Sequence, residues 1–348
     1  YTNGNPVEFC ALPLTMYGYT NSDAGNADIS ETSTALTAGK ANSGDHTVTC
    51  ETMSSLLEQY YAEKNTLTRI RQKSADLRRI VQTALERNVK KYDLQQRQMR
   101  DTEKRETYRI YGELLNTYGY NIKEGEKTLE AINYYTGEPV SIPLDTQLSP
   151  SENAKKYFEK YGKLKRTREA LSELVVGTKN ELEHLESIAL ALDIAETEAD
   201  LVQIKEELMD YGYVKRKGNQ KKQKNTAKPY HYLSSGGFHM YVGKNNYQNE
   251  ELTFKVATGG DWWFHAKNAP GSHVIVKTEG KELDDRSFEE AAALAAFYSK
   301  VKEQDKVEVD YTLRKNVKKP AGGAPGFVVY YTNYSLMIDS DISGIQQA

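Results

Sequence analysis

Cysteine is almost missing from this sequence: only Cys10 and Cys50 occur, both near the start. That argues against a disulfide-built secreted domain and fits a reducing, cytoplasmic setting. Long apolar runs are missing too. No stretch of about 18 apolar residues exists to span a membrane, and the N-terminus has neither the basic region nor the apolar stretch of a signal peptide. Opening without Met on YTNGNPVEFCALPL, the chain is expected to be a fragment of a longer protein. Nor is there an excess of either charge: 46 Lys and Arg stand against 49 Asp and Glu, for a net charge of −3. Any hold on a polyanion must then come from local basic patches. The apolar share, 38% of 348 residues, is low for one globule of that length and points to two or three domains.

What is present is organised in blocks. Within residues 1–50, the tract NSDAGNADISETSTALTAGKANSGD has too little apolar area to offset its ordering entropy and reads as a flexible loop. From about residue 51, Leu56, Tyr60, Leu67, Ile70, Leu77, Val81 and Ala84 recur at helical spacing between charged residues. The stripe is narrow, as in a coiled coil. A second one, Tyr157, Tyr161, Leu164, Leu171, Val175, Leu182, Leu185, Ala189 and Leu192, follows Ser149-Pro150-Ser151-Glu152, which starts a helix with Ser as cap, Pro at the first position and Glu reaching back. Helices over about 51–100 and 151–210 predict a long antiparallel coiled-coil arm, so the fold class is α+β and multidomain.

Between the helices, residues 104–148 predict a small α/β head. TEKRETYRIYGELLNTYGYNIKEG reads as a helical turn region, and LEAINYYTGEPVSIPLD as a hairpin turning at Thr136-Gly137. Its tyrosines, Tyr108, Tyr111, Tyr118, Tyr120, Tyr134 and Tyr135, are expected to build the core of a tiny domain, with partner recruitment as the other use. After the second helix, residues 214–228 carry seven Lys or Arg and no acid. This basic linker is either a solubilising hinge or a phosphate-seeking strap.

Residues 229–348 predict a sheet with one packed helix. Strands are expected at Phe238 to Val242, Leu252 to Val256, His273 to Lys277, Val307 to Thr312, Phe327 to Tyr331 and Leu336 to Ile338. Ser287-Phe288-Glu289-Glu290 reads as a capping box before the Ala-rich helix, and Asn245-Asn246 as a hairpin turn. The stretch DWWFHAKNAPGSHVIV, Asp261 to Val276, gathers both tryptophans with Asp261, His265, Lys267, Ser272 and His273 around a turn containing Pro270 and Gly271. Downstream, RKNVKKPAGGAPG places Arg314, Lys315, Lys318 and Lys319 before a Gly/Pro loop.

Each cluster admits more than one chemistry. His265 and His273 could face one spot, yet no Cys or carboxylate stands at a zinc-like spacing, so no metal or other cofactor is expected. Asp261, Ser272 and His273 have the residue types of a hydrolase, but no strand-to-helix elbow or oxyanion loop accompanies them, and an enzyme is not expected. Consecutive strand residues face opposite sides, so one Trp is core and the other packs on the helix or offers a stacking face. Basic residues beside Gly/Pro loops and aromatics are what phosphate-backbone binding needs, and RNA binding leads.

These motifs carry a resemblance. DWWFHAKNAPGSHVIV, AAALAAFYSK, VDYTLRKNVKKPAGGAPGFVVY and KNNYQNEEL resemble the RNA-binding NFACT-R module, while TYRIYGELL, INYYTGEPVSIPLD and LSPSENAKKYFEKYGKLKR are similar to the middle region of the same family. From about residue 51 to 345 the chain resembles the bacterial, RqcH-type branch of the NFACT family, whose older label is fibronectin-binding protein. Residues 1–50 would be the end of the family's N-terminal domain. The resemblance implies a ribosome quality-control factor that binds obstructed large ribosomal subunits, tRNA and rRNA and supports alanine tailing of stalled chains. The tRNA-reading pair of the N-terminal domain would lie outside this chain, which is then expected to bind without supporting tailing. It also implies a stalk-base ribosomal protein as partner of the arm's tip. RNA contact is carried over to Lys267, Ser272, His273, Arg314, Lys315, Lys318 and Lys319, with Asp261, His265, Pro270 and Gly271 shaping the loop. The competing reading is a cell-surface adhesin for fibronectin or fibrinogen, with a peptide added to a sheet edge. A third is a coiled-coil scaffold that grips only proteins.

Overall fold

The computed structural model describes residues 52–216, except 124, and 227–348. The expected loop of residues 1–50 and most of the basic linker lie outside the described residues. In chain order the elements are α1 (Met53–Asp101), α2 (Arg105–Tyr118), β1 (Thr128–Ile132), β2 (Pro139–Pro143), α3 (Pro150–Ile194), α4 (Glu198–Asp210), β3 (Tyr230–Leu233), β4 (His239–Val242) and α5 (Asn246–Glu251). There follow β5 (Trp262–Ala266), β6 (Val274–Lys277), α6 (Asp285–Phe297), β7 (Val307–Leu313), β8 (Val317–Lys318), β9 (Val329–Tyr330), β10 (Tyr334–Ile338) and β11 (Gln346–Gln347). They divide into two units: Leu85–Glu183, and residues 52–84 together with His184–Ala348.

The long helices form where the stripes predict them. No Gly or Pro interrupts α1, and Tyr60, Ile70, Leu77 and Val81 of its stripe are buried. Ser149 caps α3 as expected: Glu152 N–H donates to its hydroxyl, and the Glu152 carboxylate accepts from the Ser149 backbone N–H. The second helix is nevertheless not continuous to residue 210. It stops at Ile194, and Thr197 opens α4 with a capping box closed by Asp200.

In the unit Leu85–Glu183, α2 packs with the β1–β2 hairpin around Leu114, Leu115, Leu129, Ile142, Ala154 and Tyr157. Gly137, at φ +74°, turns that hairpin with a left-handed conformation that suits glycine. Of the six tyrosines expected in this core, Tyr108, Tyr111 and Tyr118 pack against it, whereas Tyr120, Tyr134 and Tyr135 are exposed. The latter two donate to Glu113, at 2.9 Å and 3.0 Å.

In the second unit an antiparallel seven-stranded sheet runs β10-β7-β5-β6-β4-β3-β11. One face carries Met240, Val242, Phe264, Ala266, Val274, Val276, Val307 and Val309 against the alanines of α6. Small side chains on α6 let its backbone approach the sheet closely. Its cap is Asp284 rather than Ser287, whose N–H donates to the Asp284 carboxylate at 2.9 Å. The other face carries Trp263, Ile275 and Tyr241, covered by Leu252, Phe254 and Val317.

Two further expectations change here. Asn245-Asn246 is no hairpin turn: Asn245 caps α5, accepting from Gln248 N–H at 3.0 Å. Leu252–Val256 is a π-helical turn instead of a strand, continuing α5 across the sheet. Gly243 makes this possible, since a Cβ there would stand 2.2 Å from Asn249 Oδ1. Among the described residues no helix is long and apolar enough to cross a membrane, and no group of three or more His, Cys, Asp or Glu is placed to hold a metal ion.

Candidate nucleic-acid interface

Period-two alternation on β5 sends Trp263 into the covered face, where it is fully buried, and Trp262 to the helix face, edge-on to Phe288 at 4.8 Å. Trp263 offers no free stacking surface, and Trp262 is half-buried against Phe288 and Tyr311. His265 stacks on Trp263, and His273 meets both rings edge-on at 5.1 Å and 5.4 Å. His273 Nδ1 and the Thr253 hydroxyl lie 2.8 Å apart, and the His273 N–H donates to Asn249 Oδ1 at 3.0 Å. Burial pushes the His265 pKa down to about 4 and that of His273 well below the ordinary histidine value, so both rings are neutral at neutral pH.

These contacts decide the loop's chemistry. Ser272 and His273 are each 2% exposed, so they lie beneath the surface, His273 holding the loop to α5 and the π turn and Ser272 N–H donating to the Tyr298 carbonyl at the end of α6. Asp261 is equally buried. Burial raises its pKa, but hydrogen bonds from Lys277, Thr258 and Thr278 outweigh this and hold it below the usual carboxylate range. Asp261 and His273 therefore spend their polar atoms on separate partners. Gly271 pairs with Ser299 as an isolated bridge, and Lys300 N–H donates to the Pro270 carbonyl, which ties the loop to the end of α6. The left-handed residue in the turn is Asn268, at φ +53°.

The seven basic and polar candidates separate by what holds them. Lys267 pairs with Glu308 at 2.6 Å, and that hydrogen bond raises its pKa. Arg314 Nε donates to the Thr253 carbonyl at 2.7 Å while its guanidinium lies over Phe254. Lys319 meets both oxygens of Glu250, at 2.8 Å and 2.7 Å. Lys315 and Lys318 are exposed, with no side-chain partner among the described residues. They sit on the turn and short ribbon, β8 against β9, that follow β7.

Two features escaped the sequence reading. Lys255, on the π turn, is exposed and likewise without a side-chain partner among the described residues. Tyr331 is 86% exposed, whereas Tyr330 beside it packs on Trp263 at 5.0 Å and donates to Asp310 at 2.8 Å. The alternation that separates the two tryptophans, applied to Tyr330-Tyr331, would have found the second.

The asparagine motif works away from this surface. Asn245 Nδ2 donates to Gln203 Oε1 at 2.8 Å, and Asn246 Nδ2 donates to the Ser187 hydroxyl at 2.7 Å and Glu207 Oε1 at 2.8 Å. Nearby Lys244 lies over the Tyr230 ring at 4.2 Å and 3.5 Å from Asp200. KNN thus latches the sheet domain onto α4 and the end of α3.

Comparison with known proteins fits this arrangement. Residues 19–227 match the NFACT N-terminal and middle domains, and residues 228–330 match the NFACT protein RNA binding domain. The chain is similar to the Rqc2 homolog RqcH of Streptococcus suis, 42% identical over 299 residues that make up 86% of this chain and 54% of that protein. It is also similar to the Rqc2 homolog RqcH of Bacillus subtilis, 37% identical over 84% of this chain and 51% of that one. The solved C-terminal part of the fibronectin/fibrinogen-binding protein from Streptococcus suis superimposes with a TM-score of 0.61 at 35% identity, covering 80% of this chain and 99% of that one. The chain spans about half the length of the curated relatives it matches.

Proposed function

We propose that this chain, which belongs to the NFACT family, binds RNA through residues 229–348 and acts within a ribosome-associated quality-control factor of the RqcH type. Its support is the RNA-binding match together with one observation. Among the described residues Lys315 and Lys318 stand exposed without a side-chain partner, while Lys267, Lys277, Arg314 and Lys319 are held by the protein. A free ammonium on a fixed ribbon can pair with a phosphate without first giving up a carboxylate, so these two supply the first backbone contacts. Lys267 and Lys319 follow if a phosphate replaces their acidic partners.

In this reading the ligands are tRNA and rRNA on an obstructed large ribosomal subunit, in the cytoplasm. Residues 51–213 form an antiparallel coiled-coil arm with its head at 104–148, which contacts a ribosomal protein at the stalk base. Residues 1–50 are the end of the N-terminal domain, 214–228 a basic connector. The chain acts by binding, without a catalytic step of its own, and alanine tailing requires the remainder of the longer relatives. A second reading follows from the solved relative, a fibronectin/fibrinogen-binding protein: capture of fibronectin or fibrinogen.

Co-sedimentation with purified large ribosomal subunits across a salt series, beside a fibronectin pull-down, separates the two. Salt-sensitive subunit binding lost in Lys315→Ala/Lys318→Ala is the expected result. Fibronectin capture that resists salt, with no subunit binding, would overturn it.

A further inference from the structure

We infer that Tyr331 is a stacking platform for an unpaired RNA base, so that the surface of the β8–β9 ribbon takes single-stranded or looped RNA in preference to duplex. The inference rests on the RNA-binding reading above and adds the class of RNA. The ribbon has an inner and an outer side. Val317 and Tyr330 face each other in register and pack inward with Trp263, so Lys318, opposite Val329, is turned outward. Tyr331, in the bend that follows β9, is 86% exposed. It stands two residues along from Val329, the position facing Lys318, and a ladder continued one residue past Tyr330 would set that diagonal at roughly 7–8 Å. That spacing matches the reach from a base to its own backbone phosphate.

An aromatic ring exposed to this degree on a loose loop would carry no argument, because its position would be unfixed. Here both neighbours are pinned. Tyr330 is held by Asp310 at 2.8 Å, and the Thr332 carbonyl accepts from the Thr312 hydroxyl at 2.6 Å. Asn316 Nδ2, on the turn that leads into β8, donates to the same Thr312 hydroxyl at 2.9 Å. The ring is thus presented on a backbone anchored to β7, so little ordering cost remains when a base stacks on it. No ring or cation of the described residues covers it. Lys318, on the outward side of the ribbon, and Lys315, on the turn that leads into it, are exposed and without a side-chain partner among the described residues, so a stacking face and phosphate-seeking cations share one short stretch of chain, the pairing that unpaired nucleotides satisfy. Bases inside a duplex present no free face, and such a ligand could use the lysines alone.

Fluorescence anisotropy on the full chain tests this with two probes, an oligoadenylate of about ten nucleotides and an RNA duplex of the same length. Tyr331→Ala is expected to weaken oligoadenylate binding roughly five- to hundredfold while changing duplex binding less than about twofold. Tyr331→Phe should retain binding, since the ring and not the hydroxyl stacks. Lys318→Ala should weaken both probes. Equal effects of Tyr331→Ala on both probes, or none on either, would overturn the inference while leaving RNA binding intact. Failure of the unaltered chain to bind either RNA would overturn the RNA-binding reading itself, and this inference with it.

Discussion

Glu207 Oε1 receives the Asn246 side-chain amide at 2.8 Å and lies 2.8 Å from His184 Nε2, so one buried oxygen joins α3, α4 and α5. Its twin, Oε2, is buried without a hydrogen-bond partner among the described residues. The carboxylate therefore depends on few contacts. Asn246→Ala is expected to cost about 1–3 kcal/mol, because it leaves a buried acceptor short of a donor. Urea unfolding of the full chain measures it, and an unchanged midpoint would show that the latch adds nothing. The double variant with His184→Ala should fall short of additivity, since both partners serve one oxygen.

Two histidines, His273 buried and His265 half-buried between Trp263 and His273, set an acid limit. Both have folded-state pKa values below the unfolded value near 6.5, so the folded protein holds fewer protons than the unfolded chain. Their neutral state costs no stability above pH about 6.5, and stability is lost as pH falls from there towards about 4, where His265 titrates in the folded state. His265 alone accounts for a loss on the order of 3 kcal/mol across that window. His265→Phe keeps a ring against Trp263 and removes the proton site, so its unfolding midpoint should fall less steeply over the same window. Parallel curves for the two proteins would refute the assignment.

Glu250 restrains Lys319 and carries negative charge beside the proposed phosphate path. Glu250→Gln should therefore raise RNA affinity several-fold at low salt. Lys318→Ala should lower the log–log salt slope by roughly 0.7–0.9, the share of one phosphate contact, and Lys319→Ala by less. Filter binding across a salt series reads all three. A larger effect from Lys319 than from Lys318 would reverse the order of roles drawn from their ion pairs.

Signals confined to a few neighbouring residues were legible in the sequence. The Ser149 cap, the hairpin at Gly137 and the burial of one tryptophan follow from local rules, as did the Thr197-x-x-Asp200 box, which was present but overlooked in a continuous stripe. Asn245-Asn246 was misread because asparagine serves left-handed turns and helix caps alike. The choice between them is made by Gln248, and by Gln203 more than forty residues away. Leu252 to Val256 is too short for periodicity to separate strand from helix. At the site, the sequence supplied the residue types but not their side. His273 became a support through α5 and the π turn, Ser272 through the end of α6, and Lys319 is engaged by Glu250, a pairing of residues 69 positions apart.

The order of the sheet has one more consequence. β10 and β11 occupy its opposite edges, yet only residues 339–345 separate them. Seven strands laid flat would set those edges about 29 Å apart, the utmost reach of so short a segment if fully extended. The segment is not fully extended: Ile345 N–H turns back to the Ile342 carbonyl, and both isoleucines pack against the α6-side core. The sheet must therefore be rolled towards that side, with its rims drawn together by one cord of chain. Opening either rim to accept a foreign strand would pull on the other and drag both isoleucines out of the core. Exchange of either rim strand carries that mechanical penalty, while the surface around Tyr331 can be engaged without unrolling anything.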